Sequence, residues 1–364
     1  MALGIDGLRI GHWTSPGQVS GCTVILPPAG TLGALAVRGG APGTREAAAL
    51  SAQGKITECH AVVLSGGSAY GLATADGVMG WLEERGVGYR VGDAGIVPIV
   101  GAAIVLDASV FQPAERPDAQ AGRQACEAAS DDDPAIGSIG VGTGCTVAKV
   151  GGLDYAWRGG IGTAVRRVDL GGGRSLTVAA VVANNALGDI IGAEGQPVAA
   201  SRAPADTGRY PMIDRRAMRS ASRIDKGATT GAGPAAYSGT AGAGERGSAG
   251  PGSGAGQHAD TGDIDAGNTV IGCIMTDASL DKPSAARVAD LAHSGIARAV
   301  EPAHTSLDGD ALFCLATGTA EVGDHDAIVD LVATLAADAV ADATRQGPRV
   351  ATTLHGLPGL AQQH

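Results

Sequence analysis

Four groups of side chains stand out by type and spacing. Asn268-Thr269 places a hydroxyl residue at the first position of the apolar run Thr269-Val270-Ile271-Gly272-Cys273-Ile274-Met275-Thr276, directly behind Gly267. Such a hydroxyl is a candidate nucleophile that becomes N-terminal when the chain cuts itself before Thr269. The same residues also read as a plain loop-to-strand boundary, where Gly, Asn and Thr are common. Lys149 stands as one cation among Thr146-Val147-Ala148 and Val150-Gly151-Gly152. It either snorkels to solvent or is a partly buried functional cation. Asn184-Asn185 closes an apolar run as a pair of turn-forming amides or as oxyanion donors. Asp308-Gly309-Asp310 leads into the run Ala311-Leu312-Phe313-Cys314-Leu315-Ala316 as a carboxylate pair, a metal site or an Asp-Gly turn. One D-x-D pair without a phosphate-binding loop is weak support for Mg²⁺, so no metal or cofactor is expected.

The chemistry these groups allow is acyl transfer. In an uncut chain the Thr269 hydroxyl attacks the Asn268 carbonyl, an N-to-O shift gives an ester, and water releases it. The freed α-amine has a reference pKa of about 7.7–8.0, so it is partly neutral at pH 7 and serves as general base for its own hydroxyl. No separate His is required, which suits a chain without a convincing Ser-His-Asp arrangement.

The elements that must hold these groups follow from periodicity. Residues 22–26, 32–37, 61–64, 97–107, 175–183, 269–276 and 311–316 are apolar runs of strand length, the first two joined by a Pro-Pro-Ala-Gly turn. Helical spacing follows Ser65-Gly66-Gly67-Ser68-Ala69-Tyr70-Gly71-Leu72 and recurs over 284–300 and 325–345. The tail from Gln346, rich in Gly, Pro and Gln, is expected to fray. Thirteen glycines between residues 227 and 267 leave too little apolar surface to offset chain entropy, so 226–268 is expected to be a flexible segment. Loops 38–46 and 65–72 are expected to line a substrate pocket, with Arg38, Gly39, Gly67 and Tyr70 as binding residues. No dinucleotide or phosphate-loop fingerprint is present.

Bulk properties bound the function classes. The 364 residues are 44% hydrophobic but only 3% aromatic, so the core is built from small aliphatics, and 59 residues are Gly. A formal charge of -11 argues against nucleic-acid or anionic-membrane partners. Six cysteines without a C-x-x-C pair read as small buried hydrophobes in a reducing compartment. With no signal peptide and no run of membrane-spanning length, a soluble cytoplasmic protein is expected.

Taken together, the segments resemble the L-aminopeptidase/D-esterase and beta-peptidyl aminopeptidase family, which includes the 6-aminohexanoate-oligomer endohydrolases. The resemblance covers nearly the whole chain. Its most specific parts are Ser65-Gly66-Gly67-Ser68-Ala69-Tyr70-Gly71-Leu72, Val182-Ala183-Asn184-Asn185-Ala186-Leu187-Gly188, Gly267-Asn268-Thr269 and His304-Thr305-Ser306-Leu307-Asp308-Gly309-Asp310. The Asn-Thr junction looks most like the Thr-nucleophile branch. The resemblance implies an α+β fold, an αββα four-layer sandwich of the self-processing, N-terminal-nucleophile type. It implies one hydrolase domain over 1–364, cut into a large chain, 1–268, and a small chain, 269–364, and assembled as a tetramer of processed heterodimers. It assigns Thr269 as nucleophile, Asn185 (rather than Asn184) as an oxyanion or orienting amide, Lys149 as a cation beside the nucleophile, and Asp308 and Asp310 as orienting acids. The implied activity is hydrolysis of a small peptide or oligoamide, by aminopeptidase or endo-type cleavage. An acyltransferase on the same scaffold and an unprocessed, non-catalytic binding protein are the alternatives. One departure stands out: where several relatives place a Tyr as an oxyanion donor, this chain has Leu106 before Asp107, so either another group such as Tyr70 or a backbone N–H fills that role or the oxyanion hole is weaker.

Overall fold

The computed structural model describes residues 1–205, 267–320 and 325–361. The expected flexible segment, up to Ala266, lies outside the described residues. Ten strands and four helices carry the architecture: β1 (Arg9–Thr14), β2 (Gly21–Leu26), β3 (Leu32–Val37), β4 (Thr44–Arg45), β5 (Ala61–Ser65), α1 (Thr74–Glu83), β6 (Val100–Ile104), α2 (Ala119–Glu127), β7 (Gly160–Gly171), β8 (Arg174–Asn185), β9 (Thr269–Ala278), α3 (Lys282–Ala299), β10 (Ala311–Ala320) and α4 (His325–Val350). They form two five-stranded sheets, ordered β1-β2-β5-β6-β4 and β7-β8-β9-β10-β3. Pairing is antiparallel except at β5–β6 and β9–β10, each joined through a helix. The Pro-Pro-Ala-Gly turn between β2 and β3 carries the chain from one sheet to the other.

The layering follows from the two-residue period of strands. In β8, Val178, Ala180 and Val182 pack under α3 and α4, while Ala179, Val181 and Ala183 face the other sheet. In β10, Leu312 and Cys314 take the helix side and Phe313 and Leu315 the sheet side. Cys22, Val24 and Leu26 of β2 turn outward onto Trp81, Leu82 and Ala125 of α1 and α2. Three apolar cores thus fill three gaps between four layers, the αββα order. Phe313 fits between the sheets because β6 offers Gly101: a Cβ there would lie 2.6 Å from the Phe313 ring.

Every cysteine is free and buried, as the composition suggested. Among the described residues no helix is long and apolar enough to cross a membrane. One expectation is corrected. The tail does not fray at Gln346: helix α4 runs on to Val350, and Ala351 is fully buried. Its Gly and Pro content signals a breaker, but tertiary bonds override it. The Thr163 amide donates to the Gln346 side chain at 2.7 Å and the Arg158 amide to the Pro358 carbonyl at 2.9 Å.

Candidate active site

Thr269 opens β9, the middle strand of its sheet, and is 4% exposed. Its hydroxyl donates a short hydrogen bond to the carbonyl oxygen of Asn268. That oxygen also accepts from the Gly309 amide at 2.9 Å. The peptide carbonyl before Thr269 therefore carries the candidate nucleophile on one side and a fixed backbone donor on another. Among the described residues, neither Nδ2 nor Oδ1 of the buried Asn268 side chain has a partner. An unsatisfied buried amide costs about 1–3 kcal/mol, so the uncut junction carries local strain in its polar bookkeeping.

Asn185 ends β8 directly opposite Thr269 in the antiparallel register. Its Nδ2 donates to the Gly267 carbonyl at 2.9 Å and to the Leu106 carbonyl at 3.0 Å. The Thr146 amide donates to its Oδ1 at 2.9 Å, which fixes the amide orientation. Asn184 points elsewhere, its Nδ2 donating to the Thr344 carbonyl at 2.8 Å. The alternation of a strand separates the two amides, one toward the helices and one toward the site.

Lys149 is 1% exposed and does not snorkel. Its Nζ donates to the Asn185 carbonyl at 2.8 Å, the Gly267 carbonyl at 3.0 Å and the Asn185 Oδ1 at 3.2 Å. Burial pulls its pKa down to about 7, against the weaker opposing pull of Cys145 and Asp308. Both Lys149 and Asn185 converge on one carbonyl, that of Gly267.

The Asp308-Gly309-Asp310 segment wraps the other side. Asp310 Oδ1 accepts from the Val270 amide at 2.6 Å. Asp308 accepts from the Thr305 amide at 2.5 Å, and its carboxyl is pushed above the usual range by burial and then by Asp310. The loop after β3 clamps this segment. The Arg38 and Gly39 amides donate to the Asp310 carbonyl at 3.0 and 3.2 Å, and the Ala41 amide to the Asp308 carbonyl at 2.8 Å. The approach at Gly39 is so close that a Cβ would lie 2.3 Å from both the Asp308 oxygen and the Asp310 nitrogen.

The structure thus gathers Lys149, Asn185, Asn268, Thr269, Asp308 and Asp310 around the backbone of residues 267–270, with Gly39 packed against the Asp308–Asp310 segment. The Arg38 guanidinium does not turn inward; it pairs with Asp290 of α3 at 2.7 Å. Gly67, in the left-handed region, donates its amide to Asp107 at 3.2 Å. Tyr70 is 59% exposed and lies under the Arg116 guanidinium, 4.0 Å from its ring centre. Leu106 contributes its carbonyl to Asn185 and packs against Gly267, but brings no donor.

Three contributors escape a sequence reading. The Gly309 amide is a backbone group, visible only once the loop path is known. His304 lies in a motif that sequence singled out, yet its partner is set by a left-handed turn, with φ at 56°. Its Nδ1 sits 2.7 Å from Asp310 Oδ2. The Asp107 carboxylate is a third, quieter case: Ser20 Oγ and Ser109 Oγ each donate to it at 2.6 Å, so it ties together the loops behind Gly67.

Comparison with known proteins supplies the remaining context. The profile of peptidase family S58 matches residues 3–361. An uncharacterized aminopeptidase of Mycobacterium tuberculosis (strain ATCC 25618 / H37Rv) is 35% identical, with 97% of this chain and 95% of that protein covered. A 6-aminohexanoate-oligomer endohydrolase of Agromyces sp. (strain KY5R) is 31% identical over 85% of this chain and 73% of that one. Among solved structures, a Burkholderia sp. beta-aminopeptidase superposes with a TM-score of 0.66 at 19% identity, covering 99% of this chain and 90% of its own. An L-aminopeptidase D-Ala-esterase/amidase from Ochrobactrum anthropi, described as a variant of the Ntn hydrolase fold, gives the same TM-score at 19% identity, with 98% and 87% covered. At such identities the two structures speak to the fold, and the αββα layering is that of the Ntn hydrolases.

Proposed function

The chain belongs to peptidase family S58, and from that premise we propose that it is a self-processing amide-bond hydrolase whose nucleophile is Thr269. One observation carries the reading: the Thr269 hydroxyl is bonded to the carbonyl of the peptide it would cleave, and Gly309 N–H already holds that carbonyl oxygen.

Processing proceeds by attack of Thr269 Oγ1 on the Asn268 carbonyl carbon. Negative charge develops on the oxygen that Gly309 N–H holds; one such fixed donor is worth roughly a hundredfold or more in rate. The hydroxyl proton passes to the Thr269 nitrogen, collapse breaks the C–N bond to free that amine and leave an ester, and water hydrolyses the ester to residues 1–268 and 269–364. Relief of the unpartnered Asn268 amide favours the cut chain.

Turnover uses the same groups on an external amide. The free Thr269 amine takes the hydroxyl proton, Oγ1 attacks the substrate carbonyl, and the proton passes to the leaving amine. The acyl-enzyme is then hydrolysed. Departure of the 267–268 end would leave Lys149 Nζ and Asn185 Nδ2 aimed where the Gly267 carbonyl now lies, free to hold a substrate carbonyl. Gly309 N–H fills the donor role that Leu106 cannot. Asp310, fixed on the Val270 amide, and Asp308 orient the terminal ammonium. A lysine ammonium nearby also lowers the pKa of that amine.

The substrate class is a small peptide or linear oligoamide, in keeping with an aminopeptidase and an oligoamide endohydrolase among its relatives. A panel of L- and D-amino-acid amides, β-peptides and 6-aminohexanoate oligomers, assayed with native protein and Thr269→Ala, tests the reading. Hydrolysis of at least one amide by the native protein alone supports it. Equal rates for both proteins would refute it.

A further inference from the structure

The ring of His304 meets an acceptor at each nitrogen. Nδ1 lies 2.7 Å from Asp310 Oδ2, and Nε2 lies 3.2 Å from the His293 carbonyl oxygen. A carbonyl only accepts, so Nε2 must carry a proton. Asp310 in turn receives the Val270 amide on Oδ1 at 2.6 Å and the His304 amide on Oδ2 at 3.3 Å, so it faces the ring as an acceptor. With Asp310 accepting, Nδ1 must carry a proton too. Both ring nitrogens are donors, and the ring is an imidazolium.

We propose that His304 is a positioning residue, whose Nδ1–H and positive charge hold the Asp310 carboxylate aimed at the backbone beside Thr269. This rests on the reading of Thr269 as nucleophile and Asp310 as its orienting acid. The surroundings are consistent with one cation at this point. Asp310, reached from the start of β10, is 2% exposed and His304 18%. From α3, His293 packs edge-on against His304 with ring centres 5.0 Å apart, but it bonds the Ala36 carbonyl and burial drops its pKa to about 4, so it stays neutral. From the loop after β3, Arg38 opposes a second positive charge, yet its guanidinium is taken by Asp290. Burial works against the imidazolium as well; the hydrogen bond and charge of Asp310 outweigh it and raise the His304 pKa above its ordinary value.

The consequence is a switch on the alkaline side. When His304 loses its proton, Nε2–H stays on the His293 carbonyl and the Nδ1 lone pair faces the Asp310 carboxylate. The carboxylate then turns away from that lone pair, and the amine of Thr269 loses its fixed partner. Asparagine tolerates the left-handed backbone of residue 304 and keeps a donor there without titrating.

Two measurements on the full chain test this. In the first, ring NMR signals of His304 are titrated in Thr269→Ala protein, where no processing intervenes, with and without Asp310→Asn. The proposal expects a midpoint above 6.5 that falls when Asp310 is replaced. A midpoint at or below 6.5 with Asp310 present, or one that Asp310→Asn leaves unmoved, overturns it. In the second, the rate of chain cleavage or amide hydrolysis is measured against pH for native protein and His304→Asn. Because Lys149 titrates in both, the ratio of the two rates is the readout. It should be flat at low pH and drop several-fold above the NMR midpoint. A flat ratio throughout overturns the positioning role. A protein whose Thr269→Ala variant hydrolyses amides at the native rate would instead refute the nucleophile assignment, leaving the NMR result to stand alone.

Discussion

Asn185 and Thr269 face each other across the antiparallel pair of β8 and β9, so the amide and the hydroxyl are placed by sheet register and not by loop conformation. A one-residue slip of β8 would send Asn184 to that position and Asn185 to the helices. The site is therefore anchored where the fold is stiffest, in two buried neighbouring strands. Lys149 reinforces the pairing by bonding both the backbone and the side chain of Asn185.

That buried lysine gives a pH signature. Its pKa falls from 10.5 to about 7 on folding, so between these values the unfolded chain holds a proton that the folded chain lacks. Stability should therefore rise with pH across that window, by on the order of a few kcal/mol. In a Thr269→Ala background, denaturant unfolding at several pH values should show this rise. Lys149→Met should flatten it and, in the otherwise native chain, slow processing, because the Gly267 carbonyl beside the junction loses its ammonium donor.

Gly39 should not tolerate a side chain. Its Cβ would lie 2.3 Å from backbone atoms of Asp308 and Asp310, which cannot yield without moving the carboxylates. Gly39→Ala should cost about 1–3 kcal/mol in thermal or denaturant unfolding. It should slow processing by more than that loss of folded population explains.

The unpartnered Asn268 amide predicts the opposite sign for stability. Asn268→Leu, made with Thr269→Ala so that the chain stays intact, should stabilise the uncut protein by about 1–3 kcal/mol. Calorimetry would show a melting temperature raised by a few degrees. With Thr269 present, the same substitution should slow cleavage.

Asp107 should matter through the loops it joins. It is 5% exposed and receives Ser20, Ser109 and Gly67. Burial raises its pKa, so its charge lowers stability as pH climbs through that raised value, and the bonds it accepts offset the cost. Asp107→Ala removes the acceptor of all these donors and should lower stability by about 2–4 kcal/mol, read by chemical denaturation.

Much of this was legible in the sequence for identifiable reasons. Continuous apolar runs at β8 and β10 marked the strands but not which residues face which layer, and small residues throughout announced a core poor in aromatics. Lys149, Asn185, Thr269 and the Asp308–Asp310 pair were singled out by residue type and by the family resemblance, and the fold gathers them in one region, although each also had a plain structural reading. The sequence could not show that β2 and β3 fall in different sheets, since a turn looks the same in either case. Nor could it reveal the Gly309 amide, the turn of Arg38 toward Asp290, or the pairing of His304 with Asp310. Each depends on a loop path fixed by contacts more than two hundred residues apart or by a left-handed backbone. The helical continuation past Gln346 was hidden because local breakers were overruled by bonds to Thr163 and Pro358.

The central claim is that the peptide bond between Asn268 and Thr269 is cut by the Thr269 hydroxyl. Intact mass and N-terminal sequencing of purified native protein and of Thr269→Ala address it directly. The expected result is two native fragments ending at Asn268 and beginning at Thr269, and one uncut chain in the variant. A native protein that remains a single chain, or a variant cut at the same bond, would contradict the account.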